Sequence, residues 1–292
     1  MARGISTHIG LNSVDPTHYG GWSGPLQACE ADAEDLAALA KRASFETTTI
    51  LTPNATRAAV EGAMAAAAVE LVAGDIYFIT YSGHGAQLPD LDGDELGNDE
   101  TDTEDETWCL FDGEMIDDEL NKLYGDFDKG VRVLVLSDSC HSGSVTRGVR
   151  GASLPNTFLD SNEDDQGTTY RYMPPRIARN VYRANRAFYD SIMQALEDAF
   201  SSNDEPADLE SRVKATVRLI SGCQDEQLSR DGTFNGLFTG KLLAVWNGGR
   251  FDGDYAAFHE AIVALMPPDQ TPNLYVIGAP NESFAGQKPF TI

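Results

Sequence analysis

Two stretches decide the fold: residues 75–85 read DIYFITYSGHG, and residues 131–143 read VRVLVLSDSCHSG. Each begins with an almost unbroken apolar run of strand length and ends in small and polar residues. Unbroken apolar strands are typical of a parallel sheet that is covered on both faces. Ligands of such sheets lie beyond the carboxyl ends of the strands. We therefore expect SGHG and SDSCHSG to lie together at one sheet edge.

The sequence on either side alternates between the two hydrophobic periodicities, strand-like and helix-like. This alternation predicts an α/β fold with a mostly parallel, doubly wound central sheet. The further strands are expected at residues 5–14, 47–51, 108–111, 215–221 and 273–277, and the helices at 26–43, 56–72, 117–124, 187–200, 237–246 and 255–266.

Residues 147–186 interrupt this pattern. The segment is polar, contains three prolines and holds seven of the 21 basic residues. We interpret it as a long exposed connection between a first half, residues 1–146, and a second half of the same domain, residues 187–292. The seven basic residues are Arg147, Arg150, Arg171, Arg176, Arg179, Arg183 and Arg186.

Composition narrows the function classes. The formal net charge of −25 repels nucleic acid and anionic membrane surfaces and favours cations or basic peptides as partners. No apolar run approaches the length needed to span a membrane, so we expect a cytoplasmic protein. The four cysteines form no CxxC pair, which argues against a zinc site and a disulfide framework. Reduced thiols are expected, and one of them can be reactive.

Cys140 and His84 supply the groups that a thiol peptidase needs. Such an enzyme uses a thiolate, a base that returns the proton to the leaving amine, and backbone donors for the oxyanion. Because glycine leaves room for a substrate backbone, the N–H of Gly85 can reach the scissile carbonyl oxygen. The N–H of Cys140 is the second candidate donor. The alternatives are a buried structural cysteine beside a turn histidine, or His141 as the base.

The motifs resemble those of a known family. TYSGHGAQ (80–87), DETW (105–108), IDDEL (116–120) and LSDSCHSGSV (136–145) are similar to segments of metacaspases and of their bacterial relatives, the orthocaspases. ISGCQDEQ (220–227) and NGLFTGKLL (235–243) resemble the small-subunit half of that family. The resemblance implies a caspase-like three-layer sandwich, a cysteine peptidase with no required cofactor, and cleavage after Arg or Lys.

A pocket for a basic side chain requires carboxylates, because a desolvated guanidinium needs paired oxygens. Asp138 lies two residues before Cys140, so an extended backbone directs both side chains to the same face. Asp32 falls where the resemblance implies another pocket carboxylate, and Asp225 is a third candidate from its place in the late motif. The alternatives are a solvated helix residue for Asp32 and a turn cap for Asp138.

The acidic stretch between Pro89 and Glu119 contains 15 carboxylates and no Lys or Arg. Repulsion among so many carboxylates costs free energy unless solvent, salt or a bound cation screens it. The resemblance implies Ca²⁺ as the candidate ion, with Asp105, Asp117 and Asp118 as ligands. The fourth implied ligand position is Arg147, which argues against calcium activation. A solvated acidic flap is the alternative.

The arginine-rich connection suggests processing, because a peptidase specific for basic residues can cut such a segment in its own chain. Another peptidase can equally be the activating partner. The expected substrates are proteins or peptides with exposed Arg or Lys. Alternative functions are a legumain-like or separase-like peptidase with a different pocket, a catalytically silent cation-binding scaffold, and a thiol-redox role.

Overall fold

The computed structural model describes residues 2–89, 104–140, 160–200, 212–224 and 227–292. Its centre is a six-stranded sheet in the order β2-β1-β3-β7-β8-β9, in which all neighbours are parallel except β8 and β9. This confirms the predicted mostly parallel α/β sheet. The strands are β1 (Gly4–Gly10), β2 (Glu46–Leu51), β3 (Ile76–Ser82), β7 (Arg132–Asp138), β8 (Thr216–Ser221) and β9 (Asn273–Gly278).

A second, antiparallel sheet was not predicted from the sequence. It consists of β4 (Gly85–Pro89), β5 (Glu104–Leu110) and β6 (Gly113–Ile116). The sequence indicated only one short strand, at 108–111, because the acidic residues before it hide the strand periodicity. This small sheet matters for the site because β4 begins directly after His84.

Helices cover both faces of the central sheet. They are α1 (Cys29–Arg42), α2 (Arg57–Glu70), α3 (Asp117–Gly125), α4 (Pro175–Ala184), α5 (Arg186–Phe200), α6 (Leu237–Trp246), α7 (Tyr255–Val263) and α8 (Glu282–Gly286). Side chains of α2 and α3 form one apolar core with Tyr77 and Ile79 of β3, and those of α1, α6 and α7 form another with Phe78. The alternation along β3 therefore places the sheet between two helical layers, which confirms the three-layer sandwich.

The expectation of an exposed connection over residues 147–186 is wrong for its central part. Arg171, Tyr172 and Met173 are 0%, 1% and 2% exposed. The chain then enters α4, which has Pro175 in its first turn, where a missing backbone N–H costs no hydrogen bond. The sequence could not show this burial because the contacts come from residues distant in the chain. Residues 147–159 lie outside the described part of the chain.

Strand pairing brings the two opening motifs together. β3 and β7 are parallel neighbours with Ser82 opposite Asp138 at their carboxyl ends. His84 and Cys140 each follow two residues later. A Cβ added at Gly85 would lie 2.0 Å from the carbonyl oxygen of Cys140, so the two backbones are in close contact. Within the described residues, no helix is long and apolar enough to cross a membrane.

Candidate active site

His84 is held between β3 and β4 with its ring in a fixed orientation. Its Nε2 lies 2.9 Å from the carbonyl oxygen of Gly24. Because a carbonyl only accepts, Nε2 carries the hydrogen and Nδ1 carries the free lone pair. The ring of Trp22 packs against that of His84, with 4.8 Å between the ring centroids. Nδ1 has no hydrogen-bond partner among the described residues.

The burial of His84 sets its charge. The side chain is 1% exposed, and burial lowers its pKa to about 4, although the hydrogen bond to Gly24 opposes this shift. The imidazole is therefore neutral at neutral pH. A neutral ring with a free Nδ1 can accept a proton from a thiol.

Cys140 lies two residues after the end of β7 and is fully buried. The backbone N–H of Ser229 donates a hydrogen bond to its Sγ, and this contact places the loop after β8 against the thiol. Cys140 forms a small buried cluster with Tyr172 and Cys223. A hydrogen bond with the Cys140 thiol, together with burial, raises the pKa of Cys223 well above its usual range.

Two backbone N–H groups converge on one carbonyl oxygen beside Cys140. The N–H of Gly85 donates to the carbonyl oxygen of Arg171 at 3.0 Å, and the N–H of Cys140 donates to the same oxygen at 3.1 Å. These are the two donors that the sequence suggested for an oxyanion. The donor pair is therefore assembled around a carbonyl of the chain itself.

The guanidinium of Arg171 is enclosed by carboxylates. Its Nη2 lies 2.7 Å from Asp32 Oδ2, and its Nη1 lies 2.8 Å from Asp138 Oδ2. The Oγ of Ser82 is a further neighbour, at 2.8 Å from Nη1. Asp32 and Asp138, predicted as pocket residues, thus lie on either side of one buried arginine.

A third carboxylate, Asp231, was missed. Its Oδ1 lies 3.0 Å from Nη2 of Arg171. The residue stands in the loop before α6, where polar and glycine residues give no periodic signal. The sequence placed Asp225 in this role instead; that residue lies outside the described part of the chain, so its position stays a prediction.

Burial and neighbouring charges shift the pKa values of the pocket residues in opposite directions. Burial lowers the pKa of Arg171, but the nearby charges, with Asp138 first, outweigh it and raise the pKa well above its usual value. Burial raises the pKa of Asp32, and the Arg171 charge opposes that shift. Asp138 is fixed by further bonds from Ser229 Oγ at 2.7 Å and from Thr239 Oγ1 at 2.8 Å. The three carboxylates therefore surround one cation, the guanidinium of Arg171.

Gly236 forms the pocket wall and was not singled out by the sequence. Its N–H donates to Asp32 Oδ1 at 3.0 Å. A Cβ added here would lie 2.5 Å from Cζ of Arg171, so any larger residue would enter the space of the guanidinium. Gly24, which orients His84, was likewise missed because its role depends on a carbonyl and not on a side chain.

The segment that contains Arg171 runs along the site in an extended form. The N–H of Arg171 donates to the carbonyl oxygen of Ser229 at 2.9 Å, and the N–H of Asp231 donates to that of Thr169 at 2.9 Å. On the other side of Arg171, the N–H of Met173 donates to the carbonyl oxygen of Gly85 at 2.8 Å. Backbone hydrogen bonds therefore fix the chain on both sides of the Arg171 carbonyl.

The expected cation ligands are only partly described. Asp117 and Asp118 begin α3, and Asp105 lies in β5, but the side chain of Asp105 is not described. Arg147 and His141 lie outside the described residues. Among the side chains that the structure describes, no group of three or more His, Cys, Asp or Glu could hold a metal ion. The calcium hypothesis therefore stays untested.

Comparisons with known proteins agree with this architecture. A family model for the caspase domain matches residues 14–279. Metacaspase-1 of Schizosaccharomyces pombe is 33% identical over an alignment of 185 residues, and the match covers 58% of this chain and 40% of that protein. Metacaspase-1 of Coccidioides immitis is 29% identical over an alignment of 259 residues, and the match covers 80% of this chain and 52% of that protein. The chain thus spans about half, or less, of the length of these relatives.

A solved structure matches over the whole chain. The crystal structure of protein GSU0716 from Geobacter sulfurreducens has 52% sequence identity and a TM-score of 0.84. The match covers 99% of this chain and 98% of that one. Because the family model matches most of the chain, the chain belongs to the caspase domain family.

Proposed function

We propose that the chain is a cysteine endopeptidase that cleaves peptide bonds after Arg, or after Lys, with Cys140 as nucleophile and His84 as its base. One observation carries the proposal. The Arg171 side chain lies among Asp32, Asp138 and Asp231 while its carbonyl oxygen accepts from the Gly85 and Cys140 N–H groups. An arginine in this position has the two contacts that a substrate arginine would need.

The proposed chemistry uses His84, Cys140 and the two backbone donors in turn. Nδ1 of His84 takes the thiol proton, and Sγ of Cys140 forms a bond to the scissile carbonyl carbon. The negative charge that develops on the oxygen is stabilised by the N–H groups of Gly85 and Cys140. His84 returns the proton to the leaving amine as the C–N bond breaks. Water then hydrolyses the thioester and restores the thiol.

Specificity follows from the pocket's charge. Three carboxylates give the site a negative charge that a bound cation reduces, whereas an Asp or Glu side chain would add a further buried negative charge. A planar guanidinium reaches carboxylates on different sides through separate nitrogens, while a lysine ammonium offers one nitrogen. We expect both basic residues to be cleaved and Arg to be preferred.

The same proposal covers maturation and partners. The substrates are proteins or peptides with accessible Arg or Lys, drawn by the net charge of −25. Cleavage within residues 147–186 matures the enzyme, by its own action or by an activating peptidase. Ca²⁺ bound by Asp105, Asp117 and Asp118 is proposed as a modulator, and the cytoplasm as the location.

The test is hydrolysis of fluorogenic peptides ending in Arg, Lys, Asn or Asp by the wild type and by Cys140→Ala, each with calcium and with chelator. Cleavage after Arg and Lys that requires Cys140 is the expected result. Cleavage after Asn or Asp would indicate a different pocket. No cleavage, even after limited proteolysis of the 147–186 segment, would favour a catalytically silent scaffold. Equal rates with calcium and chelator would remove the calcium proposal alone.

A further inference from the structure

We propose that the bond between Arg171 and Tyr172 is the one that the enzyme cuts in its own chain, and that until it is cut this segment occupies the substrate groove. The inference rests on the proposed function, because it assigns one bond to that activity. It adds a modification site to the chain and identifies the residue that competes with external substrates.

The register of the segment selects this bond. The groove must hold a basic side chain in its carboxylate pocket and, at the same residue, a carbonyl oxygen on the oxyanion donors. Arg171 meets both conditions, with its side chain on Asp32 and Asp138 and its carbonyl oxygen 3.0 and 3.1 Å from the Gly85 and Cys140 nitrogens. The bond that follows that carbonyl is Arg171–Tyr172.

Backbone pairing on both sides supports the same register. Residues 169–171 pair with 229–231 in antiparallel fashion, with Tyr170 opposite Arg230. Tyr172 forms a parallel bridge with Gly85, at the start of β4. An extended peptide that adds to existing backbone edges is a common mode of peptide recognition. The segment is therefore bound as a substrate would be, with chain on both sides of the bond.

The other arginines that the structure describes in this region do not fit. Arg176 forms an ion pair with Asp160 at 2.6 Å, and both side chains are more than half exposed. Arg179 and Arg183 lie within α4, and Arg186 begins α5. A helical backbone cannot lie in an extended groove without unwinding. Among the described arginines of the segment, Arg171 is thus the one prepared for cleavage.

The reaction balances with water as the co-reactant. Sγ of Cys140 bonds to the carbonyl carbon of Arg171, the bond from that carbon to the Tyr172 nitrogen breaks, and His84 protonates the nitrogen. Water then cleaves the thioester. The products are a chain that ends in the Arg171 carboxylate, a chain that begins with the Tyr172 amine, and the free thiol.

The covalent tether explains why an uncut chain should be a poor peptidase. A segment of the same chain competes with free peptide at a high effective concentration. Cutting the bond detaches Arg171 from Tyr172 and lets the pocket exchange its occupant. We expect hydrolysis of Arg peptides to rise at least tenfold as the intact chain disappears.

The primary experiment follows the full-length chain by intact mass and by N-terminal sequencing over a range of protein concentrations. The expected fragments are residues 1–171 and 172–292, formed with a rate constant that does not depend on concentration, and absent in Cys140→Ala. Fragments that begin after a different arginine would overturn the inference and leave the proposed function standing. So would stable intact chain in a preparation that hydrolyses Arg peptides.

Variants of two arginines test whether cleavage at this bond depends on the Arg171 side chain. Arg171→Gln should abolish this cut, and Arg176→Gln, a matched change on the exposed side, should leave it unchanged. Because Arg171→Gln leaves three carboxylates without their cation, Arg171→Lys is the second variant, with slower cutting at the same bond. If Arg171→Lys and Arg171→Gln are both cut at 171–172 as fast as the wild type, the pocket does not select this residue and the inference fails.

Discussion

The ends of β3 and β7 differ from residues 160–174 in how their structure is determined. The strand ends follow from local pattern, because two apolar runs must pair in parallel and their carboxyl ends must meet. The 160–174 segment has no such periodicity, and its centre is buried through single contacts with residues far away in the chain. Arg171, for example, contacts Asp32, Asp138 and Asp231. The proposed catalytic groups thus belong to the scaffold, whereas the segment is bound in the way that a ligand is bound.

The largest expected effect comes from removing a pocket carboxylate. We predict that Asp32→Asn and Asp138→Asn each lower kcat/KM for Arg peptides. Losing one partner of a buried, hydrogen-bonded charge pair costs about 2 to 5 kcal/mol, or roughly 30-fold to several thousand-fold. Each variant should also slow self-cleavage, because scaffold and segment share the pocket. The measurement is steady-state hydrolysis of Arg peptides alongside intact mass.

Glu34→Gln is the matched control for the pocket variants, because Glu34 lies on the same helix as Asp32 but is exposed. It should leave both rates unchanged. If Asp32→Asn weakened self-cleavage but left peptide hydrolysis intact, the pocket would serve only the internal segment. Asp32 would then bind the Arg171 segment without binding substrate arginines, and the segment could not be described as held like a substrate.

A smaller effect is expected from filling the pocket without changing its charge. Gly236→Ala would place a methyl group 2.5 Å from Cζ of Arg171. Overpacking of this kind costs about 1 to 3 kcal/mol, so we expect a loss of about 5-fold to 150-fold in kcat/KM for Arg peptides. The loss of kcat/KM should be larger for Arg peptides than for Lys peptides, because an ammonium group is narrower than a guanidinium. Parallel assays with the two peptides measure the ratio.

Gly240→Ala, in α6 just beyond Gly236, is the control for the filled pocket. The nearest atom to its added Cβ is the Cβ of Asn235 at 3.7 Å, which is an ordinary contact. Since alanine also favours a helix over glycine, Gly240→Ala should keep full activity. Equal losses in the two glycine variants would point to damage of the loop and helix, and not to a blocked pocket.

The sequence was sufficient for the scaffold because the relevant signals are short in range. The apolar runs predicted β3 and β7, and the topology rule then put His84 and Cys140 at one edge. Asp138 could be predicted because an extended backbone fixes its side relative to Cys140. Asp32 was reached only through resemblance, since nothing within α1 distinguishes a buried carboxylate from a solvated one.

The rest of the site depends on tertiary contacts that leave no local trace. Asp231 and Gly236 lie in a loop without periodicity. Their role becomes visible only in the folded chain, where both contact the space of the Arg171 guanidinium. Gly24 acts through its carbonyl, which every residue possesses. The burial of Arg171 contradicts the usual rule that Arg is exposed, and a rule based on residue type cannot anticipate a pocket built from three distant carboxylates.

The smallest expected effect concerns the environment of His84. Because burial holds the pKa of His84 at about 4 with the groove filled, a filled groove keeps the base neutral down to that pH. Trp22→Leu opens one face of the ring to water, so the pKa should rise toward the usual value of about 6.5. The neutral form is the base, so activity is lost as pH falls through the pKa. The acid limb of kcat should therefore move to higher pH.

The pH dependence of kcat measures this shift, since kcat reports the enzyme with its groove occupied. We expect a displacement of about one pH unit in Trp22→Leu and a loss of only a few-fold at pH 8, where His84 is neutral in both proteins. Trp22→Phe keeps an aromatic face against His84, so the acid limb of its pH profile should lie near that of the wild type. A limb that stays in place, with kcat reduced equally at all pH values, would mean that Trp22 positions the ring without shielding it. Burial of His84 by the groove segment and by the rest of the scaffold would then be what holds its pKa low.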